Sequence, residues 1–474
     1  MIKTIYRTLV ILITLFLMLA VFLSIFGIKT DKFNSQIISQ IKKIEPNLEI
    51  KINEVSATIN LFNFEINAKT IGTDLIYRNK TIKLESIKSK ISLKSLLNKR
   101  FSFTEISIST KSLKIKDLIT FIRLFNNDPK LFIAEQFIKN GYVVADLKLG
   151  FDEQGNITND YKINGFINDG KVSLFKRFNL NKINFIFEIN EKDLKFNDIK
   201  LSLNNKNILL PELIVSKNNN KYLISGKLNT PNVNLTKNDI SNLSNEESLR
   251  LNIEKILFSS KNTFQFEINK NLKVKNLDIK SDIELDNLKI NNPVKLKNIF
   301  PKIKKNIVFQ NQKIILKYEK DSLSIDGKGE VFLQNEIDKI EYKIYKKKDE
   351  IKFNTTLNIL KNPFEIDLLN YKKKKNLDLV LNFKGRNSNN KELIFDEISL
   401  KEKNNLILIK NLILSNTSKI IDIDNIDINY VDESNIENIL QIKKKNKDYL
   451  ISGRSFSVDN IIEKLIDSEN EKNV

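Results

Sequence analysis

The chain has 474 residues, with 78 Lys and Arg against 58 Asp and Glu, and its formal net charge is +20. It contains neither His nor Cys, which excludes a Ser-His or Cys-His nucleophile pair and every metal site that depends on those ligands. Apolar residues make up 41% of the chain, enough for a sizeable core, whereas Gly and Pro are too scarce for a disordered, linker-rich protein.

The first element predicted along the chain is a membrane-spanning helix at Leu9 to Ile28. This run carries no charge and, at about 1.5 Å per residue, it is long enough to cross the ~30 Å hydrocarbon core of a bilayer. The alternative is a cleaved signal peptide, but no small-x-small cleavage site follows the apolar run. We interpret residues 1–32 as an uncleaved anchor. The short tail with Lys3 and Arg7 predicts a cytoplasmic N-terminus and a body on the other side of the membrane.

After an amphipathic stalk at Asp31–Ile44, apolar and polar residues alternate almost to the end of the chain. Alternation of this kind is typical of strands with one apolar and one solvated face. Clear examples are Asn47–Asn53, Phe185–Asn190, the triad Phe364, Ile366 and Leu368, and the run from Leu377 to Phe383. A change of phase between Phe103 and Ile106 predicts a bulge or bend near Thr104–Glu105.

Helical periodicity is confined to short segments, most clearly at Asp117–Phe125 and Pro129–Lys139. Weaker candidates are Val294–Phe300, Asn435–Leu440 and Val458–Ile466. The predicted fold class is therefore mostly β: a single N-terminal transmembrane helix followed by a long curled antiparallel β-sheet, with a few short helices and about 25–30 strands. The apolar face of such a sheet needs a cover. Two answers stay open, a closed sandwich and an open apolar groove filled by a ligand.

A short internal repeat divides the predicted sheet. Tyr222–Gly226 and Tyr449–Gly453 share the sequence YLISG, and each follows a turn rich in Lys and Asn. One explanation is that YLISG is a common strand in this composition, and the other is that the chain contains two related β modules. With a polar boundary near residues 231–247, we predict the anchor at 1–32, an N-terminal module at 33–140, a first central module at 141–236 and a second module at 237–474.

The sequence resembles the AsmA-like family, which includes TamB- and YhdP-type proteins, and it is most similar to the YhdP-type branch. The resemblance covers most of the chain as a pattern of apolar residues and glycines without a catalytic signature. It departs from the family in having Pro46–Asn47 before the first strand of the body. The similar segments are the single membrane helix, Leu48–Ile52, Val55–Ala68, Ile82–Leu97, Phe101–Ser109, Leu113–Ile115, the glycines Gly141, Gly155, Gly165 and Gly170, and Ile451–Ile466.

The resemblance implies a protein of the bacterial inner membrane, with a periplasmic β-groove that carries phospholipid between the inner and outer membranes. The alternative is a non-conducting scaffold for outer-membrane assembly. Partners would be phospholipid, the inner membrane and outer-membrane or periplasmic proteins, with no nucleic acid. We expect no enzymatic activity, cofactor or metal, because the lone S-x-x-K at Ser39–Lys42 is best explained by chance in a Ser- and Lys-rich chain.

Two sets of residues are candidates for this function. The residues expected to face lipid are Ile50, Ile52, Phe64, Ile66, Phe185, Phe187, Leu379 and Leu381. Lysine runs at successive turns are expected to share one rim of the sheet and to meet anionic head groups, with plain solubility as the alternative. These rim candidates are Lys346, Lys347, Lys348, Lys372, Lys373, Lys374 and Lys375.

Overall fold

The structure, a computed structural model, divides into two compact units, residues 1–226 (unit 1) and 227–474 (unit 2). It describes residues 2–31, 34–52, 54–78, 80–97, 102–125, 128–152, 154–174, 178–218, 221–243, 253–269, 273–292, 296–388, 392–417, 419–446 and 448–463.

Unit 1 begins with the apolar helix predicted from the sequence. Its helices are α1 (Ile2–Ile25), α2 (Asn34–Ile44), α3 (Leu93–Leu97), α4 (Ile115–Phe125) and α5 (Pro129–Phe137). Its strands are β1 (Ile28–Thr30), β2 (Leu48–Lys51), β3 (Val55–Asn60), β4 (Glu65–Ile71), β5 (Asp74–Tyr77), β6 (Lys80–Ser92), β7 (Phe103–Thr110), β8 (Leu113–Lys114), β9 (Ile138–Phe151), β10 (Ile157–Leu174), β11 (Phe178–Asn190), β12 (Asp193–Leu203) and β13 (Lys206–Asn218).

The strands of unit 1 pair antiparallel throughout. The order across the sheet is β1, β3, β4, β6, β7, β9, β10, β11, β12 and β13. Strand β5 pairs with the first half of β6 and with β2, and β8 pairs with β9. The predicted bulge is confirmed: Lys90 pairs with Glu105 and Ile91 with Phe103, so Thr104 is the extra residue.

Helix α1 has the length and composition of a membrane span, because residues 3–25 have a mean hydropathy of 2.9 in their most apolar window and only 6% of that window is buried. The span begins at Lys3 and ends at Ile25, so it starts and ends earlier than the predicted Leu9–Ile28. Gly27 adopts a φ of +66° and stops the helix, and Ile28 then pairs with Ala57 in the sheet. A Cβ on Gly27 would lie 2.6 Å from the Ala57 carbonyl oxygen, so this close passage from helix to strand requires glycine.

The division between the units falls within strand β14 (Lys221–Thr236), and unit 2 begins at Lys227. Helix α6 (Lys237–Leu243) precedes the remaining strands, and a 3-10 helix lies at Asp367–Leu369. The strands are β15 (Ile253–Asn269), β16 (Val274–Asn291), β17 (Asn306–Glu319), β18 (Ser322–Phe332), β19 (Asp338–Lys347), β20 (Glu350–Ile359), β21 (Glu365–Ile366), β22 (Tyr371–Lys372), β23 (Leu379–Ser388), β24 (Glu392–Glu402), β25 (Asn405–Ser415), β26 (Ile420–Asp422), β27 (Asn425–Val431), β28 (Glu437–Lys445) and β29 (Asp448–Ser455).

The large sheet of unit 2 is an antiparallel meander. Each strand from β15 to β20 pairs with the next, and β20 then pairs with β23. The order continues through β24, β25, β27, β28 and β29, with β26 beside the end of β25. Strands β21 and β22 form a separate two-stranded hairpin.

The predicted fold class is confirmed: one apolar N-terminal helix precedes large antiparallel sheets, and the described residues contain 29 strands. Helices α4 and α5 lie where the periodicity predicted them. The prediction of a helix at Asn435–Leu440 is wrong, because Glu437 opens β28, and residues 296–300 form turns. The compact units divide at 226/227, ten residues before the predicted boundary at 236/237, and the predicted boundary at 140/141 falls within β9.

Candidate ligand-binding face

The apolar face of the unit 2 sheet is built by one row of residues in direct cross-strand register. Alternation places every second side chain on the same face, and the register brings these side chains side by side on successive strands. From β16 to β29 the apolar members of this row are Ile283, Ile314, Tyr342, Phe383, Ile398, Ile409, Ile426, Ile442 and Ile451. We call it the Phe383 row.

A second row lies on the same face, two residues closer to the start of β23. We call it the Leu381 row. Its members are Leu285, Gln312, Ile340, Leu357, Leu381, Leu400, Ile407, Ile428 and Leu440. All but Ile340 and Leu440 are buried. The members of the Phe383 row are half-buried, except Ile451, which is 63% exposed. Burial on this face therefore decreases away from the edge where β23 begins.

The chain itself closes that edge. Residues 296–303 and 360–378, here called the closing segments, pack side chains such as Phe300, Phe364 and Tyr371 against Leu379 and Leu381. Phe300 and Phe364 meet edge to face at 5.5 Å between ring centroids, and Tyr371 meets Tyr430 in the same way at 5.5 Å. Leu379 is 0% exposed as a result.

Hydrogen bonds hold the closing segments in place. The backbone N–H of Glu365 donates to the Ile299 carbonyl at 3.1 Å and joins the two segments. Glu402 is the central acceptor, because its carboxylate receives the Tyr371 hydroxyl at 2.9 Å and the Lys374 backbone N–H at 2.7 Å. Burial, together with the adjacent Glu402 charge, raises the pKa of Tyr371, so this hydroxyl remains a donor.

Beyond the Phe383 row, the same face stays apolar and half-buried. Ile325, Ile344 and Phe353 are directly opposite one another on β18, β19 and β20, and the Phe353 ring packs edge to face on Phe395 at 5.7 Å. The intervening side chains Lys343, Lys352 and Asn354 are exposed on the other face. No closing segment packs on this part among the described residues, and we call it, together with the Phe383 row, the open apolar face.

Three glycines lie beneath rings on these sheets, a feature that the sequence pattern alone did not reveal. Gly327 is opposite Tyr342, Gly385 is opposite Phe353, and in unit 1 Gly165 is opposite Phe187. A Cβ at each glycine would lie within 3 Å of the opposing ring. Each glycine therefore leaves room for the aromatic side chain opposite it to lie flat across the glycine's strand.

In unit 1, helices cover much of the apolar face. Ile37 and Ile41 of α2 pack in a core with Ile50 of β2, and Ile52 and Ile66 lie against the same core. A second core places Ile115 and Ile119 of α4 over Phe187, with Phe185 at its margin. The α4–α5 pair is fixed by Glu135, which accepts the Thr120 hydroxyl at 2.8 Å and pairs with Arg123.

The candidate lipid-facing residues therefore do not form one set. Ile50, Phe187, Leu379 and Leu381 are buried by the chain's own side chains, and Ile52, Ile66 and Phe185 are partly buried against those cores. Phe64, which was also predicted to face lipid, ends a turn with a φ of +52° and is 65% exposed. The prediction that these positions face a ligand remains untested. For Leu379 to contact a ligand, the closing segments would have to move off the sheet.

The prediction that the two lysine runs share one rim is wrong. Lys346–Lys348 lie at the turn between β19 and β20, whereas Lys372–Lys375 belong to the connection between β20 and β23. These connections lie at opposite ends of β20. The apolar triad at 364–368 forms part of a closing segment and does not add a strand to the large sheet. Because the sheet has one strand fewer here than predicted, every later turn lies at the opposite edge from the predicted one.

The lysines of the second run also have local partners. The Lys372 ammonium lies 2.6 Å from the Glu433 carboxylate, and the Lys373 ammonium donates to the Leu360 carbonyl at 2.5 Å. Burial lowers the pKa of Lys373. Through these contacts Lys372 and Lys373 help to hold the closing segment in place. Lys346–Lys348, in contrast, are exposed.

Comparisons with known proteins identify no family. No protein-family model matches the chain, and no curated protein matches it significantly. The resemblance to the AsmA-like family therefore depends on the sequence pattern described above.

The buried carboxyl of Asp338 makes the closed edge sensitive to pH. Asp338 is 1% exposed; its Oδ2 accepts the Asn362 amide at 2.9 Å, and its Oδ1 has no hydrogen-bond partner among the described residues. Burial raises the pKa of Asp338 to about 6, although the Asn362 hydrogen bond and the charge of Lys373 oppose this shift. The folded state therefore binds the proton more tightly than the unfolded state does.

We expect Asp338 to stabilise unit 2 most below pH 4 and to lose this contribution as the pH rises to about 6. The loss amounts to about 3 kcal/mol, given an unfolded pKa of 3.8 and a folded pKa of about 6. Hydrogen exchange of β19 peptides at pH 4 and pH 7 measures this loss of stability. The change in protection between the two pH values is compared for wild type and Asp338→Asn. The exposed Asp326→Asn provides the control. An equal pH dependence in wild type and Asp338→Asn would contradict this assignment.

Proposed function

We propose that this protein is anchored in the bacterial inner membrane by α1 and holds the acyl chains of phospholipid on the open apolar face of unit 2. In this role it carries phospholipid through the periplasm toward the outer membrane. The proposal combines the family resemblance with the chemistry of that face.

The observation that carries the proposal is the Phe383 row. It crosses the strands from β16 to β29 with apolar side chains that are half-buried up to the exposed Ile451. Among the described residues, only Phe383 and Ile426 of this row pack against the closed core. Eleven strands at about 4.8 Å spacing give a row of roughly 50 Å. An acyl chain spans about 15 Å, half the hydrocarbon thickness of a bilayer, so the row offers room for several chain positions.

The energetics suit movement along the row better than capture at one point. Each methylene removed from water contributes about 0.8 kcal/mol, wherever along the face it lies. Side chains of similar size repeat from strand to strand, so neighbouring positions differ little in free energy. The described residues show no cluster of metal-ligating side chains, and a head group can stay hydrated beside the sheet.

Site-specific photo-crosslinking tests the binding proposal. Benzoylphenylalanine is placed at Phe353 on the open apolar face, and in a second chain at the neighbouring exposed Asn354, which points to the opposite face. After irradiation in cells, phospholipid should be attached at position 353 in clear excess over position 354. Equal capture at the two positions would exclude an acyl-chain site on this face.

The membrane topology is a separate prediction. With Lys3 and Arg7 in the cytoplasm and all residues after α1 in the periplasm, a protease added to spheroplasts should degrade both units. Antibodies against the two units follow the loss on immunoblots, and a cytoplasmic protein controls for lysis. Complete protection of the body in intact spheroplasts, followed by digestion after lysis, would reverse the proposed orientation.

A non-conducting scaffold for outer-membrane assembly is the second candidate. The observation that favours it is the closure of much of the apolar surface by the chain itself, through α2, α4 and α5 in unit 1 and the closing segments in unit 2. A scaffold needs rigid sheets and no lipid. Equal crosslinking at positions 353 and 354 would favour this function.

A further inference from the structure

Among the described residues, β29 is the last strand of unit 2 and has a free edge. It pairs with β28 on one side, and no strand pairs with its other side among the described residues. All eight of its residues are exposed, including Leu450 at 57% and Ile451 at 63%. The same YLISG sequence in β14 has Leu223 and Ile224 half-buried, so this sequence is compatible with a flanked position in a sheet.

Free edges are normally protected, because an unpaired row of N–H and C=O groups recruits other strands. In unit 1, the strands β1 and β2 are protected by their lengths of three and four residues. Strand β29 has eight residues, lacks proline, and is uncharged from Tyr449 to Gly453. Its charges are limited to Asp448 and Arg454, one near each end.

We propose that β29 pairs antiparallel with β29 of a second copy of this chain, about a two-fold axis through Ile451. In that register Ile451 faces its own copy, Leu450 faces Ser452, Tyr449 faces Gly453 and Asp448 faces Arg454. The two-fold axis generates each unlike pair twice.

Charge complementarity supports this register. The two copies contribute two Asp448–Arg454 pairs directly across the new strand pair, and opposite charges in this position stabilise a sheet. Among the described residues neither Asp448 nor Arg454 makes an ion pair within its own chain. Shifting the register by two residues in either direction would separate all of these charges.

The Tyr449–Gly453 pairs support the same register. An aromatic residue faces a glycine at Tyr342–Gly327, at Phe353–Gly385 and at Phe187–Gly165 in this protein. The self-pairing of β29 would produce two more such pairs. The Tyr449 hydroxyl donates to Asp422 at 3.3 Å, but the residue is still 48% exposed. Glycine across from it leaves room for the ring.

The pairing would also extend the apolar face. Ile451 and Gly453 lie opposite Ile442 and Leu440 of β28, so they belong to the apolar side of the sheet. Residues directly opposite one another in an antiparallel pair point to the same face. The Phe383 row of one copy would therefore continue into that of the other. The proposed dimer does not depend on lipid binding. The proposal of dimerisation and the proposal of lipid binding can therefore be disproved separately.

Disulfide trapping tests the register, because the chain has no native cysteine. In the full-length Ile451→Cys chain, the two thiols lie on the axis, and oxidation in membranes should give a covalent dimer. Lys443→Cys on β28 is the control: the two copies of this residue would be at least three strand spacings apart, about 14 Å or more, which is too far for a disulfide. Equal dimer formation by the two variants, or none, would overturn the proposal.

Charge exchange separates specific pairing from damage to β29. Asp448→Arg and Arg454→Asp each create two like-charge pairs, and each should raise the dimer dissociation constant of the detergent-solubilised full chain at least about tenfold. The double variant Asp448→Arg, Arg454→Asp should restore the wild-type value. Sedimentation equilibrium measures all four chains. A wild-type chain that is monomeric at every concentration, or a double variant that is no tighter than the single ones, would overturn the proposal.

Discussion

Leu379→Asp is expected to unfold the closed edge of unit 2. Leu379 is fully buried among Ile359, Phe364 and Tyr371, and its replacement places a carboxylate in this apolar core, directly opposite Glu402 in the sheet. Loss of the packed leucine costs about 2–5 kcal/mol, and the buried polar group adds several more. A destabilisation above about 4 kcal/mol is a large fraction of the stability of a typical domain.

Hydrogen exchange measured by mass spectrometry checks this result peptide by peptide, which suits a chain with two units that need not unfold together. Amides of β20, β23 and β24 should lose protection in Leu379→Asp, while those of β3, β4 and β6 should keep theirs. Asp378→Asn is the matched control, because Asp378 is exposed. Native-like protection of β23 in Leu379→Asp would show that this side chain is not in a closed core.

Phe353→Asp is expected to slow phospholipid transfer at least about tenfold while the fold survives. Phe353 is half-buried on the open apolar face, so a carboxylate there can reach water in the lipid-free protein. When an acyl chain covers it, the charge loses hydration at a cost of several kcal/mol. In the proposed function lipid passes successive positions on the open apolar face, so one such barrier should reduce the transfer rate at least about tenfold; each 1.4 kcal/mol corresponds to a factor of ten.

Transfer of a fluorescent phospholipid from vesicles that contain the full-length protein to acceptor vesicles measures this effect. Asn354→Asp is the control, because it introduces the same charge one residue away on the opposite, exposed face. Its transfer rate should equal that of the wild type. Equal rates for Phe353→Asp and Asn354→Asp would contradict lipid passage along the open apolar face, even if both proteins fold.

Local patterns in the sequence predicted most of the secondary structure. The uncharged N-terminal run became α1, the segments around Asp117 and Pro129 became α4 and α5, and a phase change located the bulge at Thr104. These features depend on residues near one another in the chain, through helical or alternating periodicity and the length of an apolar run.

The closing segment was missed because periodicity identifies a face and not its neighbours. The triad Phe364, Ile366 and Leu368 alternates like a strand, yet it forms a two-residue strand and a 3-10 helix that pack over the sheet. Its position is set by distant partners such as Ile299 and Leu379. Counting it as a strand of the large sheet placed Lys372–Lys375 on the wrong edge.

Burial of the candidate site could be predicted only in part for the same reason. The alternation correctly placed Phe187 and Leu381 on the apolar side of their strands, but the cover over each comes from elsewhere, from α4 and from the closing segments. Phe64 shows the opposite case, since a turn with a positive φ removes it from the strand pattern. The roles of Gly327 and Gly385 depend on rings of neighbouring strands, which a single strand pattern does not identify.

The most direct test of the proposed function is the amount of phospholipid that the purified full-length protein retains on its open apolar face. Wild type, Phe353→Asp and Asn354→Asp are purified in the same detergent, and phospholipid per chain is quantified by mass spectrometry of an organic extract. Lipid around α1 contributes equally to all three. The account predicts that wild type and Asn354→Asp retain equal amounts and that Phe353→Asp retains clearly less. The same lipid content in all three proteins would contradict it.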